Sequence, residues 1–150
     1  MRVERRPGGN RYCGPAALSA IAGITTDTAA QILREITGQR SIGGVTIASM
    51  IEALSRLGFC LRDPIRYLDT QAGSLQRPTL ARWLREYPRT AEDVVLVCVT
   101  GHYLVVKGRK VYDNYHPNGV WLQSYGGPGV GRRSRLKWSG VVQKEGEDAR

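Results

Sequence analysis

Three residue types that together make a working thiol nucleophile are spread along this chain. Cys13 stands at a glycine–proline step, Cys13-Gly14-Pro15, rather than inside an apolar run. His102 follows Gly101 and opens Tyr103-Leu104-Val105-Val106, and Asp113-Asn114 closes Val111-Tyr112. A free thiol with a pKa of about 8.5 is mostly protonated at neutral pH. A helix N-terminus or a neighbouring imidazolium stabilises its thiolate. The imidazole then has a proton to give a leaving group, and a carboxylate or amide behind the ring holds its tautomer and orientation. Gly14 would leave room for substrate beside the sulfur, where backbone N–H groups would face a developing oxyanion.

The other two cysteines read differently. Cys98 lies in Val94-Val95-Leu96-Val97-Cys98-Val99 and is expected to be a buried, inert thiol; Cys60 ends an apolar stretch and is expected to be structural. Three cysteines at wide, unequal spacings make a poor disulfide framework, which fits a reducing compartment and a cytoplasmic location. Metal binding is a rival chemistry for Cys98 and His102, four residues apart, but structural zinc uses shorter paired spacings. His116, before Pro117, is a second candidate base.

These residues need elements to position them. Cys13 to Ala22 is mostly small and apolar, with Pro15 suited to a first helical turn and Gly23 to a C-terminal cap. It predicts a tightly packed helix with Cys13 at its N-terminus. Thr28 and Gln31 have capping-box spacing ahead of Ile32, Leu33 and Ile36, and Gly38 stops that helix. Thr46 precedes Ile47, Met50, Ile51, Leu54 and Leu57, the strongest amphipathic helix in the chain, ended by Gly58. After a segment expected to be irregular, Leu80, Trp83, Leu84 and Tyr87 repeat the helical spacing up to Pro88.

The periodicity then changes. Val94 to Val99 is rich in β-branched residues and reads as a central strand. His102 to Val106 and Val111 to Tyr115 flank Lys107-Gly108-Arg109-Lys110, a hairpin turn. With Gly108 and Arg109 as the turn residues, Leu104 faces Asp113 and His102 faces Tyr115, all on one sheet face. Asp113 is then diagonal to His102, and a slip of one residue would hand its role to Asn114. Gly126 to Gly131 reads as a loop, and Leu136 to Val142 as a last strand. Helices first and a mainly antiparallel sheet second make an α+β domain over 1–143, followed by a polar tail, 144–150.

The motifs Asn10-Arg11-Tyr12-Cys13-Gly14-Pro15-Ala16-Ala17-Leu18, Gly101-His102-Tyr103-Leu104-Val105-Val106 and Val111-Tyr112-Asp113-Asn114 resemble those of the papain-like cysteine peptidases. The likeness is greatest to the small C39-like members, including bacteriocin-leader-processing domains, and spans about 100 residues. It implies a papain-like fold and cleavage of a peptide or isopeptide bond in a peptide or protein substrate through a thioester acyl-enzyme. It also implies no metal or organic cofactor. Cys13 matches the family nucleophile, His102 the base and Asp113 the orienting acid, with Asn114 as the alternative. The family commonly carries a glutamine for the oxyanion about six residues before the cysteine. Pro7 occupies that position here, which leaves Asn10 as the candidate carboxamide.

A formal charge of +9, from 22 Lys and Arg against 13 Asp and Glu, favours loose association with anionic partners. The basic residues are scattered apart from Arg132, Arg133, Arg135 and Lys137, and no nucleic-acid-binding motif organises them. The alternative to a peptidase is a non-catalytic basic module that binds nucleic acid or an acidic protein on a degenerate peptidase fold. Tyr12, Tyr103 and Trp121 are candidates for lining a cleft. No run of 18 uncharged apolar residues is available for a membrane span.

Overall fold

A computed structural model of the chain describes residues 1–4, 12–67 and 77–146. Three helices lead: α1 Cys13–Ala22, α2 Thr26–Thr37 and α3 Ile47–Arg56. Then come β1 Phe59–Arg66, α4 Leu80–Glu86, β2 Val94–Val99, β3 His102–Lys107, β4 Lys110–Tyr112, β5 Val120–Trp121, β6 Gly126–Gly127, β7 Val130–Gly131 and β8 Leu136–Lys144. A six-stranded sheet in the order β1-β8-β2-β3-β4-β5 is antiparallel at every pairing. The expected α+β class is the observed one.

Strand alternation gives this sheet two buried faces. Leu96, Cys98, Tyr103, Val105 and Trp138 point toward the helical layer, against Leu18, Leu33, Met50 and Leu54. Val95, Val97, Val99, Leu104 and Leu136 point the other way, against α4 and Tyr125. Burial on both faces explains why β2 reads as an unbroken apolar run. Helix α1 is buried from Gly14 to Ala20, and its small side chains admit α2 on one side and the sheet on the other. Gly23 ends it in the left-handed conformation, φ 71°.

The elements depart from expectation in five places. Helix α2 is capped by Thr25, not Thr28: the Thr25 hydroxyl accepts from the Thr28 N–H at 3.2 Å, and the Thr26 N–H donates to the Glu4 carbonyl. The segment after α3 is strand β1, hidden in the sequence by Arg62, Asp63 and Pro64. As an edge strand paired only with β8, it absorbs Pro64 at a register shift where Asp63 takes φ 50°. The glycine-rich loop holds a small antiparallel pair, β6 with β7. The hairpin ladder starts in the expected register, Lys107 opposite Lys110, but stops at Val105 opposite Tyr112. Strand β8 runs on through Lys144, the first residue of the expected tail.

A β-bulge in β8 shapes the region near Cys13. Cys98 pairs with Trp138 and Val99 with Leu136, so Lys137 is the extra residue. In a regular strand Leu136 and Trp138, two residues apart, would share a face; here they join opposite apolar clusters. The Trp138 ring then lies along β8 over Gly140, where a Cβ would come 2.7 Å from Trp138 Cη2. Gly140→Ala is therefore expected to overpack this floor and destabilise the protein by about 1–3 kcal/mol. Chemical denaturation checks it: an unchanged midpoint would mean that the ring moves aside freely.

Candidate active site

Cys13 is the first residue of α1, after an extended Tyr12 that supplies no side-chain cap. Pro15 has no N–H and Ala16 donates to the Tyr12 carbonyl, so among the described residues the Cys13 and Gly14 N–H groups are the uncapped ones beside the sulfur. His102 starts β3 immediately after Gly101, whose φ of 70° turns the chain out of β2. Asp113 follows the last residue of β4 and is fully buried. Its Oδ1 accepts from the backbone N–H groups of Tyr115 at 2.9 Å and His116 at 2.8 Å. This closes a turn that ends the hairpin ladder. Its Oδ2 accepts from Nε2 of His102 at 2.9 Å and from the Tyr125 hydroxyl at 2.7 Å. The ring's other nitrogen, Nδ1, is thereby left for Cys13, whose thiolate the imidazolium favours. Tyr115 stacks on the ring, with centroids 5.6 Å apart and planes at 16°.

The three groups hold one another in charged forms. Burial pushes the Cys13 thiol up, but it is outweighed by the hydrogen bond from His102, the Tyr103 backbone N–H, the imidazolium charge and the cysteine's own N–H. The net result lies below the usual thiol value. Burial would lower His102, yet the hydrogen bonds to Asp113 and Cys13, and their charges, push it up to about 9. Asp113 is opposed by burial as well, and the bonds from His102, Tyr125 and His116 hold it below the usual carboxylate range. Cys98 lines the same cavity and behaves oppositely. Burial pushes it up to about 11, and its Sγ lies 3.3 Å from the Val99 carbonyl, to which it donates.

A cavity of about 490 Å³ opens beside Cys13 and His102. The sheet supplies one wall through Tyr103, Cys98 and Trp138, and the other comes from Gly44 and Val45 before α3 and Ile47 at its start. The Tyr103 hydroxyl donates to the Val45 carbonyl and ties the two walls together. Gly14 does not leave room for substrate as expected. It is buried, and a Cβ on it would meet Val45 Cγ2 at 3.0 Å, so its bare backbone accommodates a wall of the cavity.

The structure brings Cys13, His102 and Asp113 together and leaves other candidates apart. Asn114 is buried, but the carboxylate of Asp113 takes the bond to His102. His116 binds the Gly126 carbonyl at 2.7 Å through Nε2 and does not line the cavity. Of the aromatic candidates only Tyr103 lines it; Tyr12 is exposed, and Trp121 lies on the surface with the Lys110 ammonium 5.3 Å from its ring centroid. Asn10 lies outside the described residues. Among the described residues, no group of three or more His, Cys, Asp or Glu side chains could hold a metal ion, and no helix is long and apolar enough to cross a membrane. Sequence reasoning missed Tyr125, whose position before a glycine-rich segment carries no local signal. Tyr115 had a signal in the hairpin alternation that places it opposite His102.

Helices packed on one face of this antiparallel sheet, with a cleft at their junction, form the papain-like peptidase fold of the C39 type. A solved structure with this fold is a double glycine motif protease from an AMS/PCAT transporter, determined in complex with the leader peptide. It matches with a TM-score of 0.51 at 14% identity, covering 95% of this chain and 90% of that one. No family model and no curated protein matches the chain.

The mutual support of the three groups can be read by titration. The His102 imidazolium is expected to titrate near pH 9, and Asp113→Asn to lower that value by removing the carboxylate charge. NMR of the ring C–H signals checks both, and an Asn variant that titrates like the wild type would contradict the coupling. Asp113→Ala is expected to cost about 3 kcal/mol or more in chemical denaturation, because it leaves buried donors unpaired.

Proposed function

We propose that this protein is a cysteine peptidase with Cys13 as nucleophile, His102 as acid and base, and Asp113 as the residue that orients the ring. The observation that carries this reading is the buried Asp113 carboxylate bonded to His102 Nε2, with the imidazole and Cys13, at the head of α1, lining one cavity. The fold shared with a known protease supports it.

In this mechanism the Cys13 thiolate attacks a peptide carbonyl carbon, and the carbonyl π electrons move onto oxygen. The backbone N–H groups of Cys13 and Gly14 at the head of α1 stabilise that oxyanion. Collapse breaks the C–N bond as His102 gives its proton to the departing amine, leaving a thioester on Cys13. Neutral His102 then takes a proton from water as the water oxygen attacks the thioester. The acid product leaves, and thiolate and imidazolium are restored. Asp113 stays ionised throughout and fixes which ring nitrogen faces Cys13. The neighbour's double glycine motif and leader peptide make Gly-Gly-containing peptides the first substrates to test.

Two outcomes follow. Cys13→Ser is expected to keep the fold and reduce turnover at least about a thousandfold, measured by peptide cleavage at equal folded concentration. Iodoacetamide is expected to modify Cys13 selectively at pH 6–7, where an ordinary thiol is mostly protonated. His102→Ala should slow this labelling, since burial then pushes the thiol up with less opposition. Intact mass and peptide mapping read both. Equal, slow labelling of the cysteines, insensitive to His102, would sink the mechanism.

A further inference from the structure

The sheet wall of the cavity ends in two cations. Tyr103, Cys98, Trp138 and Arg66 stand directly opposite one another on β3, β2, β8 and β1, forming one row across four adjacent strands. Residues directly opposite share a sheet face, and all four line the cavity. Tyr103 is at the Cys13 end, where its backbone N–H reaches the sulfur. Arg66 is at the far end, three strand spacings or about 14 Å away.

The bulge adds a second cation on the neighbouring strand, beside Trp138, and its charge also reaches Cys98. Lys137 is the extra residue of β8, so it and Trp138 both reach the cavity, as neighbours in a regular strand would not. The Lys137 carbonyl accepts from the Tyr67 N–H at 2.9 Å, which locks the bulge to the strand end that carries Arg66. Both side chains are exposed, and neither has an ion-pair partner among the described residues. No Asp or Glu lines the cavity among those residues. The pair is thus an uncompensated positive end on an otherwise mainly apolar wall.

We infer that Arg66 and Lys137 form a subsite for an acidic side chain of the peptide substrate, about four residues from the bond that Cys13 cleaves. An extended peptide advances about 3.4 Å per residue, so four residues span the distance from the Cys13 end of the row to Arg66. Trp138 lies between and covers the intervening apolar stretch. The cations discriminate among peptides by charge, while Cys13, His102 and Asp113 carry out the cleavage. This inference rests on the peptidase reading of the site and assigns it a substrate class.

The test is a proteome-derived chymotryptic peptide library, whose peptides keep internal Asp, Glu, Lys and Arg, digested by the wild type, with cut sites aligned by mass spectrometry. Asp and Glu are expected to be enriched about fivefold at one position three to five residues from the cut, the scale of a part-exposed ion pair. The enrichment should shrink as salt is raised. It should vanish in the doubly substituted Arg66→Gln, Lys137→Gln protein and turn toward Lys and Arg in the Arg66→Glu, Lys137→Glu protein. Cut sites without acidic enrichment, or enrichment that survives both double substitutions, would overturn the subsite and leave the peptidase reading standing. A library left uncut by a wild type whose Cys13 also labels no faster than an ordinary thiol would overturn the peptidase reading and this subsite with it.

Discussion

The arrangement at this site depends on one buried carboxylate. Asp113 is wholly removed from solvent, and an ion in that position is tolerated only if its oxygens are fully hydrogen-bonded. Four donors do this: two backbone N–H groups, the Tyr125 hydroxyl and His102 Nε2. Each bond fixes something else. The backbone donors end the β3–β4 ladder and turn the chain. Tyr125 anchors the segment before the β6–β7 pair. His102 is held with its second nitrogen toward Cys13, and Tyr115 closes over the ring.

From that carboxylate the charges alternate outward. A negative Asp113 favours a positive His102, and a positive His102 favours a negative Cys13. Burial opposes every one of these ionisations, so each is sustained by its neighbour rather than by water. The contrast with Cys98 isolates the cause. Both thiols line one cavity, yet the one without an imidazolium partner or a helix N-terminus is driven up, by burial first and by the Cys13 charge besides.

The sheet serves this site at its boundary. His102 starts a strand whose later residues are buried on both faces, so its backbone is held by pairing with β2 while its ring emerges at the strand end. Cys13 comes from a helix packed through residues with little side chain, and Gly14 admits Val45 against it. On the far side of the cavity, irregularities in β1 and β8 do the positioning. The bulge at Lys137 and the shift near Asp63 direct side chains where a regular ladder would not.

Much of this was legible in residue order. The helix from Cys13 to Gly23, the strand Val94–Val99 and the hairpin register at Lys107 and Lys110 follow from small-residue runs, β-branched runs and a glycine turn. These are local signals with local causes. The His102–Asp113 partnership was also legible, because the hairpin register, extended one step past its last pair, brings Asp113 diagonal to His102, and Cys13 stood out by its glycine–proline step at a helix start. Strand β1 was not. An edge strand needs little apolar pattern of its own when its partner β8 supplies the ladder, and Pro64 with Asp63 erased what pattern there was. The roles of Tyr125, Val45 and Trp138 were equally hidden, since each is defined by a partner far along the chain. The sequence by itself determined which chemistry was available and which short elements would carry it, because propensity, capping and periodicity act over a few residues. Only the tertiary structure decided which donors hold the buried Asp113, which wall closes over Gly14 and which cations reach the cavity. Those outcomes depend on burial and on long-range hydrogen bonds, which exist only once distant segments have packed.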